Sequence, residues 1–323
     1  MEPSVLNPSD PNAGVDFGFC EFTLNNDQIY ANISYVDFVP RLPIGISLHT
    51  SSGQTQIVRG MRVSGIEDMA ARLRDQTARD GMPWDKLIKD DAGRPLRILN
   101  ATHGDAVQAD FGAYFDPYIE QVWTHYRSRE LEINTQSGAG VVRGQISSSS
   151  DDLVFSNDQR FPKPTTADVL GCNSGPFTTG PDPVRNAIIP RLAAAFVRSA
   201  LVESDVHPSD PSGFYKRDIT NHYARVVHEV NVDGKGYAFA YDDVQPDGGE
   251  DQSGKVNAGD ATGFHVVVGG GDADGGDSAA DQGGAVSAVG QNQSEQAPPD
   301  TSAGQEHRGF RGKFGGFMQK VLH

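Results

Sequence analysis

Cysteine, positive charge and long apolar runs are all scarce in this 323-residue chain. Its two cysteines, Cys20 and Cys172, are too few for a disulfide framework, and they could either pair or remain buried thiols. The formal net charge of −16 argues against binding to nucleic acid or to an anionic membrane. No apolar run reaches the roughly 18 residues of a membrane-spanning helix. Residues 1–4 lack a signal-peptide pattern. An acidic surface does suit a neutral, polyhydroxylated partner such as a polysaccharide.

The patterning of apolar residues divides the chain into four parts. Residues 1–59 and 128–269 are rich in strand patterns, residues 60–127 read as an inserted α/β module, and residues 270–323 have the composition of a disordered tail. Helices are predicted from a capping-box pattern at Ser64 to Gly81, and over 111–126 and 187–201. Strands are predicted at 16–24, 29–38, 84–88, 96–99, 131–134, 140–144, 153–155, from 168 into a Gly-rich turn, and at 224–232, 236–241 and 263–268.

Two carboxylates, Glu21 and Asp37, lie in the first two strand patterns. The run Asn-Asn-Asp at 25–27 is typical of a turn, so these strands are predicted to form a hairpin. If Asn25 pairs with Gln28, Asn32 lies opposite Glu21, and Asp37 lies about 16 Å further along an ideal strand. A bend near Asp37 is therefore required to bring the two carboxylates together.

Such a pair of carboxylates can hydrolyse a glycosidic bond, one group protonating the leaving oxygen and the other activating water or attacking carbon. Glu21 is flanked by Cys20 and Phe22, and apolar surroundings can keep a carboxyl protonated near neutral pH. The alternative is that both carboxylates simply face solvent on their strands.

Other polar clusters predict less chemistry. Tyr241, Asp242 and Asp243 could bind sugar hydroxyls, or could be an ordinary acidic strand end. His222 and His228 have no third partner at ligand spacing, so no metal site is expected. The Gly-rich run at 168–177 lacks a phosphate-binding lysine, and the loop histidines His103 and His207 have no nucleophile signature; no cofactor is expected.

Many short motifs, in order over residues 2–269, together resemble glycoside hydrolase family 64. The motifs are Glu-Pro-Ser-Val at 2–5, Asn-Pro-Ser-Asp-Pro-Asn at 7–12, Phe-Gly-Phe-Cys-Glu-Phe-Thr at 17–23, Ala-Asn-Ile-Ser-Tyr-Val-Asp-Phe at 31–38, Asp-Gly-Met-Pro-Trp at 80–84, Phe-Asp-Pro-Tyr-Ile at 115–119, Ala-Asp-Val-Leu-Gly-Cys-Asn-Ser-Gly-Pro-Phe at 167–177, Asn-His-Tyr-Ala-Arg at 221–225 and Gly-Lys-Gly-Tyr-Ala-Phe-Ala-Tyr-Asp-Asp-Val at 234–244.

The resemblance implies a fold, an activity and roles for individual residues. The fold is mixed β and α+β: a thaumatin-like β-barrel or sandwich with the inserted α/β module and the tail. The activity implied is that of a secreted, monomeric β-1,3-glucanase that releases short laminari-oligosaccharides by an inverting mechanism, with Glu21 as acid and Asp37 as base. Thr23, Asn25 and Asn32 are implied substrate contacts, with Tyr241, Asp242 and Asp243 as weaker ones.

Two departures from the family pattern accompany the resemblance. Asn32 stands where thaumatin-like clefts usually carry an acid, and its sequon is expected to remain unmodified so that the cleft stays open. The chain also begins at the Glu-Pro-Ser-Val motif, so a barrel without its first strands and with an open edge is expected. The competing interpretations are a non-catalytic β-glucan-binding protein and a protein-interaction module led by the tail.

Overall fold

The computed structural model describes residues 3–7 and 9–269, together with the backbone of a strand at 318–322. Its fifteen strands are β1 (Gly18–Leu24), β2 (Ile29–Ser34), β3 (Phe38–Pro40), β4 (Ile44–Thr50), β5 (Thr55–Val58), β6 (Ile88–Asp91), β7 (Arg94–Leu99), β8 (Leu131–Asn134), β9 (Val141–Ile146), β10 (Leu153–Phe155), β11 (Arg160–Phe161), β12 (Val206–His207), β13 (Val256–Ala258), β14 (Ala261–Val268) and β15 (Met318–Leu322). The predicted tail, 270–323, lies outside the described residues except for β15.

Five α-helices and four short 3₁₀ helices complete the described elements. The α-helices are α1 (Gly65–Asp80), α2 (Asp116–Tyr126), α3 (Thr166–Gly171), α4 (Pro183–Val197) and α5 (His222–Val230), and the 3₁₀ helices are η1 (Trp84–Leu87), η2 (Ala101–Val107), η3 (Gly175–Phe177) and η4 (Pro211–Gly213). None of the helices in the described part of the chain has the length and apolarity to cross a bilayer.

The strands form four sheets. Their orders are β13-β2-β1-β15, β11-β10-β9-β8-β12, β14-β4-β5 and β3-β7-β6. In the first sheet β15 pairs antiparallel with the outer edge of β1, and in the fourth β3 pairs with β7. This last sheet joins the first strand-rich part of the chain to residues 60–127, so the two predicted parts share backbone hydrogen bonds.

Several predicted elements are confirmed and four predicted strands are wrong. The first helix and the strands β7, β8, β9, β10 and β14 occur close to their predicted bounds, the second helix begins at Asp116 rather than at 111, and α4 begins and ends four residues early. α1 ends at Gly81, which adopts φ 73°, but Ser64 makes no side-chain cap. Residues 84–87 form η1 rather than a strand because Pro83 begins a helical turn and Trp84 donates to Asp80, and only Ile88 of the predicted strand is in a strand, as the first residue of β6.

The predicted strand at 224–232 is instead helix α5. Asn221 caps it by accepting a hydrogen bond from the Ala224 N–H. Burial of His222, Tyr223, Val226 and Val227 follows helical spacing, and packing of this face overrides the strand propensity of valine.

The predicted strands at 168 and at 236–241 are also absent. Thr165 and Asp168 form a capping box that begins α3. Residues 236–241 contain one bridge, from Tyr237 to Ser34, and then turn. The Ala238 N–H donates to the Asp242 carboxylate, so a strand partner cannot use it.

A large buried cluster joins the sheets and helices, and a second, smaller one lies beside it. The smaller cluster consists of Phe17, Phe19, Phe38 and Leu99, with Arg97 stacked over two of its rings. Cys20 and Cys172 are both buried thiols and are not joined in a disulfide, which settles the alternative that the sequence left open.

Candidate functional site

The β1–β2 hairpin has the register that its turn predicts. The Asn25 N–H donates to the Gln28 carbonyl at 3.1 Å, and Glu21 lies opposite Asn32. The Asn25 side chain closes the turn itself, since its Oδ1 accepts from the N–H groups of Asp27 and Gln28. Asn25 is therefore an exposed turn residue at the end of the hairpin.

The bend that the sequence requires occurs between β2 and β3. β2 ends at Ser34, Asp37 lies in the bend, and the chain then enters a different sheet at Phe38. The Phe38 ring packs edge-on against Phe19 at 5.3 Å between centroids. Because Phe19 lies two residues before Glu21 on the same face of β1, this contact brings Asp37 back towards Glu21.

Glu21 is a buried carboxyl. It is 6% exposed, and both Asn32 and Ser34 form hydrogen bonds with it. Burial first, and then the negative charge of Asp37, raise its pKa to about 7 despite those hydrogen bonds. Glu21 can therefore carry a proton near neutral pH.

Asp37 has a different environment. Its side chain is 49% exposed, and its Oδ1 accepts a hydrogen bond from His103 Nε2 at 3.1 Å. The two carboxyls thus differ in solvation: one is buried and has a raised pKa, and the other faces water. This is the asymmetry that separates a general acid from a general base.

The face of β1 and β2 that carries Glu21 continues toward the hairpin turn. Thr23 is half-buried and lies opposite Tyr30, which is also half-buried. Burial and the charges of Asp243, Asp251 and Glu21 raise the pKa of the Tyr30 hydroxyl. Asp243 therefore lies near this face.

Asp242 and Asp243 are adjacent in sequence but have different surroundings. Asp242 is fully buried and accepts from Arg198 Nη2 at 3.0 Å and from His228 Nε2 at 3.1 Å. Asp243 is only half-buried, hydrogen-bonds to Tyr237, and has a pKa raised chiefly by burial. Asp243 thus lies near the face of β1 and β2 that carries Glu21, whereas Asp242 is enclosed in the interior. Tyr241 packs half-buried against the core.

Sequence reasoning missed three polar side chains of this site. Tyr30 and Ser34 could have been found, since the hairpin register places them on the face of Asn32. His103 could not, because 66 residues separate it from Asp37 and only the β3–β7 pairing joins them.

The raised pKa of Glu21 predicts how the free energy of unfolding changes with pH. A carboxyl whose pKa is higher in the folded state opposes folding as pH rises from about 4.5 to about 7. A shift of this size corresponds to about 3 kcal/mol. We expect Glu21→Gln to be more stable than the wild type at pH 8, by up to this amount, with the advantage shrinking by pH 4.5.

Urea unfolding at both pH values measures this difference. Glu132→Gln, the same carboxyl-to-amide change at a partly exposed strand position, is the matched control. An equal effect of Glu21→Gln at pH 4.5 and pH 8 would contradict the raised pKa.

The fold and the carboxylate pair place the chain in the class of the glycoside hydrolases. It belongs to glycoside hydrolase family 64, whose model, described as beta-1,3-glucanase, matches residues 1–268. The resemblance drawn from the sequence motifs is confirmed.

Known relatives support this family membership. A glucan endo-1,3-beta-glucosidase of Cellulosimicrobium cellulans is 30% identical over 251 residues, which cover 76% of this chain and 44% of that protein. A crystal structure of a laminaripentaose-producing beta-1,3-glucanase in complex with laminaritetraose is 30% identical with TM-score 0.72, covering 82% of this chain and 72% of that one.

A second solved structure shows the same fold. It is a beta-1,3-glucanase domain (GH64) from Clostridium beijerinckii, 26% identical with TM-score 0.65, covering 83% of this chain and 68% of that one. The chain spans less than half the length of the curated relative from Cellulosimicrobium cellulans.

Proposed function

We propose that this chain is an endo-acting β-1,3-glucanase that hydrolyses laminarin-like glucan with inversion. The observation that carries the proposal is the contrast between Glu21, whose burial raises its pKa to about 7, and the half-exposed Asp37. The names of the relatives, glucan endo-1,3-beta-glucosidase and laminaripentaose-producing β-1,3-glucanase, supply the substrate class.

In the proposed reaction each carboxyl has one role. Asp37 takes a proton from a water molecule as the water oxygen bonds to the anomeric carbon. The glycosidic carbon–oxygen bond breaks at the same time, and the Glu21 proton goes to the leaving oxygen. Protons are then exchanged with solvent to restore both groups, so the net reaction consumes one water and yields two shorter glucans.

The substrate would lie along the face that carries Glu21. Thr23 and Asn32 flank the acid, and the buried Asn32 Oδ1 has no hydrogen-bond partner among the described residues, so it would accept from a sugar hydroxyl once the Asn32 side chain turns toward the substrate. Asn25 would contact sugar through its exposed amide at the hairpin end, and Asp243 would do so at the other side of Tyr30. Tyr241 would be a weaker contact with sugar. Asp242 would support the site from the interior without touching sugar.

The proposal extends to properties that accompany this family resemblance. We infer a secreted, monomeric enzyme with a thaumatin-like barrel that releases short laminari-oligosaccharides. The burial of Asn32, which is 2% exposed, supports the expectation that its sequon stays unmodified.

The anomeric form of the first products tests the mechanism. Hydrolysis of the β-linkage with inversion should release new reducing ends as the α-anomer, visible by proton NMR before mutarotation equilibrates them. A matched sample of laminari-oligosaccharides without enzyme gives the equilibrium ratio. Initial accumulation of the β-anomer would refute inversion while leaving glucan hydrolysis intact.

A further inference from the structure

We propose that His103 is a positioning residue for the catalytic base, holding the Asp37 carboxylate in the orientation that activates water. This inference rests on the proposed function, because it presumes that Asp37 is the base. It adds a residue from another part of the chain, on η2, to the two carboxyls of the hairpin.

The contact between His103 and Asp37 has a defined direction. Because an ionised carboxylate can only accept, the His103 Nε2–H donates to Asp37 Oδ1 at 3.1 Å. Among the described residues, His103 is the side chain that donates a hydrogen bond to the Asp37 carboxylate. It fixes one oxygen and leaves Oδ2 to receive the proton of water.

The backbone holds the two residues in a fixed relation. The Asn100 N–H donates to the Asp37 carbonyl at 2.9 Å, which extends the β3–β7 ladder by one bond. The Asn100 side chain caps η2 by accepting from the Thr102 N–H, and its amide donates to the Ala238 carbonyl at 3.1 Å. The His103 N–H then donates to the Asn100 carbonyl at 2.9 Å.

These hydrogen bonds anchor the segment that carries His103. Asn100 is 2% exposed, so the start of η2 is anchored in the interior, whereas the Asp37 side chain is half exposed and lies in a bend. An exposed carboxylate samples several rotamers unless a neighbour holds it, and productive geometry at a reacting centre needs one of them. His103 supplies that restraint from the kink of η2, a segment whose first residues are anchored in the interior through Asn100.

The same chain contains a second histidine–aspartate pair outside the proposed site. His125 Nε2 donates to Asp205 Oδ1 at 2.7 Å, and His125 is about as exposed as His103, although Asp205 is less exposed than Asp37 and also accepts from Arg129. A general contribution of such pairs to folding should therefore appear at both places. A contribution to the base should appear only at His103.

A double-mutant cycle tests the proposal. His103→Ala is expected to lower kcat on laminarin about tenfold, the usual effect of losing one hydrogen bond to a charged group, with KM changed less than twofold. His103→Gln, whose amide can donate from a similar position, should recover most of that loss. His125→Ala should leave kcat unchanged.

The decisive comparison uses the Asp37→Ala background. There, added azide can attack the anomeric carbon in place of water while Glu21 protonates the leaving oxygen, giving a glycosyl azide. His103→Ala should not change this azide-dependent rate by more than twofold, because the carboxylate that it positions is gone. A further tenfold loss in that background would overturn the positioning role.

Several other outcomes would refute the positioning role of His103. Unchanged kcat in His103→Ala, or an equal loss in His125→Ala, would refute the proposal. If His103→Ala gives no cooperative melting transition, His103→Leu replaces it in the same cycle. Undiminished hydrolysis by Asp37→Ala would remove the proposed base itself, which is a separate failure from an additive His103 effect.

Discussion

Glu21→Gln is expected to lower kcat on laminarin by about 10³-fold, within the range of 10² to 10⁴ that general acid catalysis contributes. Glutamine has nearly the same shape, and its carbonyl can accept hydrogen bonds from Asn32 and Ser34 as the carboxyl does. It cannot protonate the leaving oxygen. Initial rates of reducing-end release measure the effect, with Glu132→Gln as the matched strand control.

A substrate with a better leaving group makes this experiment specific to acid catalysis. Fluoride needs little protonation as it leaves, so Glu21→Gln should lose far less activity on a β-laminaribiosyl fluoride than on laminarin. Calorimetric binding of laminari-oligosaccharides should survive the change. A variant that retains full laminarin hydrolysis would refute Glu21 as the acid, and binding without hydrolysis in the wild type would favour a glucan-binding protein.

Asp242→Ala is expected to destabilise the fold by about 3–5 kcal/mol. Arg198 is 3% exposed at its side chain, and it would lose the carboxylate that pairs with it, as would His228. The Ala238 N–H would also lose its acceptor, and this hydrogen bond stabilises the turn that precedes Asp242. Removing one partner of a buried ion pair leaves the other charge without compensation.

Urea unfolding measures the loss, and Glu132→Ala provides the control. Glu132 pairs with Arg143 at the surface, where ion pairs contribute at most about 1 kcal/mol. A loss below 1 kcal/mol for Asp242→Ala would contradict this structural role, and a raised KM without any destabilisation would favour a contact of Asp242 with sugar.

Local sequence chemistry predicted the hairpin well. The Asn-Asn-Asp turn fixes the register of β1 and β2, and that register in turn requires the bend at Asp37. These features depend on neighbours within about 15 residues, so the pattern of residues contains them.

The parts that sequence analysis could not predict depend on distant contacts. The run of valines at 226–227 has strand propensity, and only packing of the α5 face against the core makes it helical. Asp242 was predicted to contact sugar because aromatic residues precede it. Its burial depends on Arg198, 44 residues away in sequence.

The alternation of side chains along β1 places a thiol directly behind the proposed acid. Cys20 is 2% exposed on the core side, while Glu21 occupies the opposite face. A thiol so enclosed reacts with a maleimide only when the strand separates from its neighbours. The rate of maleimide labelling at Cys20 therefore measures how often β1 separates from its neighbours, and no cysteine has to be introduced for the measurement.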